Sequence, residues 1–150
     1  MEPHDLEAYL HEHIPISRHM GIAVVQADLA RVTLRAPLEP NINHRSTVFA
    51  GSCASVAMLA AWSLVLLRVR DAGLDARIVI QHGAMDYLTP IDGAFSATCD
   101  SPDEAVWARF MRALERGRPV RVDLTAEVES EAGPVAKMTG SYAAIPPSKG

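Results

Sequence analysis

Residues 46–67 contain no charged side chain. A stretch of that length either crosses a membrane or forms a helix surrounded on most sides by its own protein. Ser46, Thr47, Gly51, Ser52, Ser55 and Ser63 interrupt it, and much of the remainder is alanine. Its strongly apolar part, 56–67, is too short for a bilayer, which takes about 20 residues. The flanking sequence reads as strands that need an apolar body to cover. The expectation is a core helix over 51–71, brought to the surface by Arg68, Arg70 and Asp71 and closed by Gly73.

The elements on either side follow from periodicity. Asp5 is placed to cap a first helix running to about Arg18, with Leu6, Tyr9, Leu10 and His13 on one face, and Gly21 ends it. Residues 22–27 read as a strand. Ala30, Val32, Leu34 and Ala36 alternate with Arg31, Thr33 and Arg35, the pattern of a strand with one buried face, and Pro37 and Pro40 stop it. A polar loop, 41–47, leads into the apolar helix. Residues 77–89 form a long strand ending at Pro90, turned by Asp92 and Gly93 into a partner over 94–99.

Ser101, Pro102 and Glu104 have the form of a capping box with proline at the first helical position. The helix they open turns Val106, Phe110, Met111 and Leu114 inward and ends at Gly117. Val120, Val122, Leu124, Ala126 and Val128 alternate with polar residues, 131–134 turns, and 135–145 returns as the last strand. Six half-buried strands and one all-apolar helix predict an α+β domain, 1–150, whose antiparallel sheet wraps the central helix. Open sheet edges would be covered by pairing with a second copy, as a homodimer or a dimer of dimers.

Composition narrows the function classes. Hydrophobic residues are 49% and charged residues 21%, so a folded domain is expected rather than disorder. A net charge of -4 without a basic tract makes the chain a poor candidate for binding nucleic acid or anionic membrane by bulk charge. Two cysteines, Cys53 and Cys99, in no metal-ligand spacing, suit reduced thiols. The first residues lack the basic start and apolar run of a secretion signal, and the expected location is the cytoplasm.

The segment Asn41-Ile42-Asn43-His44 to Ala50-Gly51-Ser52, opening the apolar helix, resembles the hotdog-fold thioesterases. Within them the chain is similar to the small thioesterase-like domain found at the C-terminus of some bacterial acetyltransferases. Tyr87-Leu88-Thr89-Pro90-Ile91-Asp92-Gly93 resembles the strand and turn of that fold, and residues 117–142 resemble its final hairpin. The helix between Ser101 and Arg116 departs from the commoner pattern, which turns directly there. The resemblance implies a homodimer with its sites at the subunit interface. It implies coenzyme A or acyl-carrier pantetheine as the substrate's handle, and neither metal nor redox cofactor. The phenylacetyl-CoA type of these enzymes carries an Asn, then His-Gly-Gly, then an Asp on the helix. Asn43 falls on the Asn, Phe49-Ala50-Gly51 on His-Gly-Gly, and Met58 on the Asp. Phe49 and Met58 have no group that activates water.

Thioester hydrolysis needs donors aimed at the developing oxyanion and a group that activates water. Unpaired amides near Gly51 and Ser52, at the positive end of the helix dipole, suit the first need; the plainer role is to start the helix. His44 is the candidate base, because histidine ordinarily titrates nearest neutral pH, or else a surface-loop residue. Asn43 either orients water or the carbonyl, or binds its own loop. Asp86 is a base if it points into the site and a solvated strand residue if it does not.

Ser52, Cys53 and Ser55 lack a nucleophile elbow and suit close packing of sheet on helix. His11 and His13 diverge on a helix, which argues against a metal site. Trp62 and Trp107 read as core or interface aromatics. Arg116, Arg118 and Arg121 suit either coenzyme A phosphates or a solvated rim. The expected catalytic pair is therefore Asn43 and His44, with Phe49, Gly51, Ser52 and Asp86 against the substrate. The expected activity is hydrolysis of an acyl-CoA or acyl-carrier thioester; the alternative is a module that binds such a conjugate without turning it over. A dehydratase of the same fold would want a carboxylate facing a histidine, and the helix has none before Asp71.

Overall fold

The alternating segments assemble into one antiparallel sheet in a computed structural model that describes residues 1–148. Its strands are β1 (Ala23–Ala27), β2 (Arg31–Ala36), β3 (Arg77–Tyr87), β4 (Phe95–Asp100), β5 (Val120–Ser130) and β6 (Gly133–Ile145). Their order across the sheet is β1-β2-β4-β5-β6-β3. The helices are α1 (Pro3–His13), α2 (Ile16–His19), α3 (Ala50–Asp71) and α4 (Glu104–Glu115).

The uncharged stretch forms α3, which packs against β2, β3, β4, β5 and β6. Val56, Ala57, Ala60, Ala61, Leu64 and Val65 on this helix are fully buried. They meet the inward residues Leu34, Phe95, Ala97, Leu124, Ala126 and Met138 of the sheet in one core. Among the described residues α3 is the one helix long and apolar enough to cross a membrane, and more than half of that stretch is buried inside the protein. The core-helix expectation therefore holds, and the architecture is the hotdog arrangement of a sheet wrapped around a central helix.

Three local expectations need correction. The first helix stops at His13 and a separate short turn, α2, follows. Pro15 is the reason: it has no amide to continue the ladder and pushes Ile14 out of the helical region, to φ -128° and ψ 75°. Asp5 does not cap α1. The helix begins at Pro3 behind Glu2, and Asp5 lies in the first turn, where its charge favours the dipole. The capping box at α4 does not form either. Asp103 occupies the cap position without a side-chain bond. The Ser101 hydroxyl instead accepts hydrogen bonds from Arg68 (2.9 Å) and Trp107 (2.7 Å), while Glu104 pairs with Arg68. A nearly buried guanidinium outcompetes backbone amides for both members of the box.

Candidate active site

The loop before α3 is held by two asparagines with different duties. Asn41 is 2% exposed. Its side-chain amide donates to the Met20 and Pro37 carbonyls (2.9 and 2.8 Å), and its backbone carbonyl accepts the Phe49 amide (2.7 Å). Asn43 braces a tight hairpin that the Ile42–Val48 bridge closes. Its Oδ1 accepts the amides of Arg45 (2.8 Å) and Thr47 (3.2 Å), and its Nδ2 donates to Thr47 Oγ1 (2.9 Å) and the Val48 carbonyl (3.4 Å). All hydrogen-bonding capacity of this side chain goes into its own loop, so Asn43 sets the shape of the helix entrance. The Val48 amide is tied to the Ile91 carbonyl (2.8 Å), which fixes where the helix starts.

At that start the amides of Ser52 and Cys53 bond back to the Phe49 carbonyl (3.0 and 3.1 Å). Among the described residues, the amides of Ala50 and Gly51 have no acceptor. Ala50 is exposed and Gly51 half-buried. Two reachable N–H groups thus stand at the positive end of a 22-residue helix. Phe49, 56% exposed, lays its ring over Gly51. A Cβ at position 51 would overlap that ring, so glycine is what lets the phenyl lie flat on the helix entrance.

Two cavities flank this entrance. One, of about 310 Å³, is lined by Asn43, Thr47, Ala50, Cys53, Tyr87 and Thr89 among others. Tyr87 donates its hydroxyl to the Ala50 carbonyl (3.1 Å), tying the end of β3 to the start of α3. Burial, with Cys53 beside it, pushes the Tyr87 phenol above its ordinary pKa. Burial pushes the Cys53 thiol up to about 11, so this sulfur is a neutral thiol near pH 7, not a nucleophilic thiolate.

The other cavity, of about 280 Å³, is an apolar cleft along Ser55, Met58, Leu59 and Trp62. These share a face of α3 with Gly51, spaced as i, i+4, i+7, i+8 and i+11 from it. Gly51 and the cleft therefore lie on one side of the helix.

The expected site residues are divided by this geometry. Phe49, Gly51 and the Asn43 hairpin meet at the helix entrance. His44 is exposed at the hairpin and lines neither cavity. Ser52 is half-buried in the first turn of α3. Asp86 follows Met85 and precedes Tyr87, which turn toward the helix, so it faces the outer side of the sheet, opposite Lys137 of β6. Tyr87 and the apolar cleft went unrecognised in the sequence. The only signal for the cleft is the Ser55, Met58, Leu59, Trp62 spacing, which an all-apolar helix does not set apart from its other faces. No group of three or more His, Cys, Asp or Glu residues suited to a metal occurs among the described residues.

A helix with unpaired N-terminal amides and an apolar cleft farther along it, inside a wrapped antiparallel sheet, defines a hotdog domain. The family model described as "Putative thioesterase (yiiD_Cterm)" matches residues 3–146, and the chain belongs to that family. This agrees with the resemblance to a C-terminal thioesterase-like domain, and it makes thioester hydrolysis the general class of reaction. The crystal structure of a "putative thioesterase" from Shewanella oneidensis is 30% identical over 96% of this chain and 97% of its own, with a TM-score of 0.86. A protein of unknown function from Chlorobaculum tepidum is 32% identical over 97% of this chain and 98% of its own, at a TM-score of 0.88. A thioesterase from Haemophilus influenzae shares the fold at 10% identity, covering 97% of this chain and 92% of its own, TM-score 0.75.

Proposed function

We propose that this protein hydrolyses acyl thioesters of coenzyme A or of an acyl carrier, at a site completed by a second copy of the chain. The thioester oxygen is held by the Ala50 and Gly51 amides, the acyl chain lies in the cleft along Met58 and Trp62, and His44, which lines neither cavity of the single chain, activates water once the second copy completes the site. Asn43 acts as a positioning residue through the loop that carries His44. Coenzyme A or pantetheine enters as part of the substrate, and no metal or redox cofactor takes part. The observation that carries this reading is the pair of amides without acceptors at the entrance of α3. Such donors stabilise the oxyanion of acyl transfer in a site that excludes water.

Support for the second copy comes from the sheet edges. β1 has only five residues, and α1 lies against it, with the Val24 amide donating to Glu7 (2.8 Å). β3 presents an eleven-residue edge on which Ile80, His82, Ala84 and Tyr87 are exposed. An edge of that length is covered by strand pairing, and pairing there brings the partner beside the cleft rim at Ile80.

Release of free thiol from a panel of acyl-CoAs tests the proposal. His44→Ala is expected to lower kcat about a hundredfold, and Asn43→Ala to lower it by at least about tenfold through a misplaced loop. Equal rates in wild type and both variants would remove these residues from the mechanism. One observation favours the alternative of a non-catalytic binding module: among the described residues, the cavity at the helix entrance is lined by no carboxylate or imidazole. Stoichiometric acyl-CoA binding with no thiol released over hours would establish that reading.

A further inference from the structure

Tyr87 touches the helix entrance through a single atom of consequence. Its hydroxyl donates to the Ala50 carbonyl oxygen (3.1 Å). That oxygen and the Gly51 amide belong to the same peptide group. In a trans peptide the C=O and the N–H point opposite ways and share one delocalised system. A donor on the oxygen draws electron density from the nitrogen side, so the Gly51 N–H becomes the stronger donor. Helix geometry already aims the Ala54 amide at the Ala50 oxygen, and the oxygen's second lone pair is what Tyr87 takes. Ala50 is exposed, so the fold does not need this bond to satisfy a buried group.

Both ends of that bond are fixed. On the strand side, Tyr87 stands opposite Ala136 of β6, and the Leu88 and Thr89 amides donate to the Val135 carbonyl (2.9 and 3.3 Å). On the helix side, the Val48 amide is held by the Ile91 carbonyl (2.8 Å) and the Phe49 amide by the Asn41 carbonyl (2.7 Å). The segment after β3 and the loop before α3 are thus tied through backbone, and the Tyr87 hydroxyl adds a side-chain tie at the first residue of the helix. Burial and the neighbouring Cys53 hold the phenol above its ordinary pKa, so it keeps the proton it donates across the neutral range. Phe49 lies over Gly51 and lowers the dielectric in which these dipoles act.

We propose that Tyr87 is a positioning residue for thioester hydrolysis, which acts through the Ala50 carbonyl to strengthen the Gly51 amide as a donor to the developing oxyanion. This rests on the reading that the Ala50 and Gly51 amides hold the thioester oxygen. The chain runs from the Tyr87 hydroxyl to the Ala50 oxygen, across the peptide bond, and from the Gly51 N–H to the substrate. No proton moves along it. Its effect grows with the charge on the substrate oxygen, so it favours the transition state over the bound ester. One oxyanion donor is worth about a hundred- to a thousandfold in kcat. Strengthening it by about 10–30%, as a neighbouring bond in a chain does, corresponds to about two- to eightfold.

The test compares wild type with two replacements. Tyr87→Phe keeps the ring and removes the donor, and 3-fluorotyrosine in place of Tyr87 donates more strongly because its hydroxyl is more acidic. Two quantities are read near pH 7: kcat and KM for octanoyl-CoA, and the chemical shift of the Gly51 amide proton in the ligand-free protein. Tyr87→Phe is expected to lower kcat about two- to eightfold with KM nearly unchanged, and to move the Gly51 proton upfield. The fluorinated protein is expected to move both the other way, with kcat above wild type. A side chain that only braced the structure would not give responses of opposite sign in the two replacements. Hydrolysis at equal kcat in all three proteins would overturn the role of Tyr87 and leave the enzymatic reading standing. A Gly51 proton that moves as expected, with no hydrolysis by any of the three, would overturn the enzymatic reading and leave the coupling of Tyr87 to the Gly51 donor intact.

Discussion

Cys53 sits one turn into α3 and Cys99 near the end of β4, both buried as free thiols. Burial pushes the Cys53 thiol from 9.0 up to about 11. Burial, with Asp100 adjoining, pushes Cys99 up to about 12. The folded protein therefore holds these protons more tightly than the unfolded chain does. Their contribution to stability is fully present below pH 9 and is lost as pH rises through the folded values. The urea midpoint is expected to fall from about pH 9 upward through about pH 11, and to fall less steeply in the double variant Cys53→Ala/Cys99→Ala. An identical slope in the two proteins would contradict the assignment. At the site, residue type alone brought Asn43 and Gly51 to the helix entrance, while Asn43, expected as a catalytic residue, spends its side chain on its own loop. It could not locate Tyr87, whose hydroxyl reaches the Ala50 carbonyl only once the fold brings the end of β3 to the start of α3.

Among the elements, Arg68 joins three. From the C-terminal part of α3 its guanidinium donates to the Leu29 carbonyl in the β1–β2 turn (2.9 Å), to Ser101 and to both oxygens of Glu104 at the start of α4. Its plane also lies over Trp107, 5.2 Å from the ring centroid. Arg68→Met keeps the apolar stem and removes the donors. It is expected to lower Tm by roughly 4–8 °C. Glu104→Gln is expected to lower it by less than half as much, because that side chain is 78% exposed. Calorimetry on the two variants checks the order. This clamp also explains what periodicity missed. Strands β2 and β5 and helix α3 were legible because their patterns report one buried face or none exposed. The α4 cap was misread because a residue 36 positions earlier competes for it. The cleft was invisible because it needs the α1–α2 turn folded over α3, a consequence of Pro15 that hydrophobic spacing does not carry.

At the scale of the whole molecule, the two edges of the sheet are managed differently. α1 shields β1, while β3 is left bare beside the cleft. Light scattering is expected to give two or four times the 16.2 kDa of one chain; a monodisperse particle of single-chain mass would contradict pairing through β3. In the proposed reading the wrapped sheet, the buried helix and the cleft serve one arrangement, in which the leading amides of α3 would face a thioester carbonyl. Amide chemical shifts on titration with an octanoyl-CoA analogue, in which a methylene replaces the thioester sulfur, probe those donors directly. The Ala50 and Gly51 amide protons are expected to move downfield together and saturate, as hydrogen bonds to the analogue's carbonyl form. Saturable binding that leaves both resonances where they stand in the free protein would contradict it.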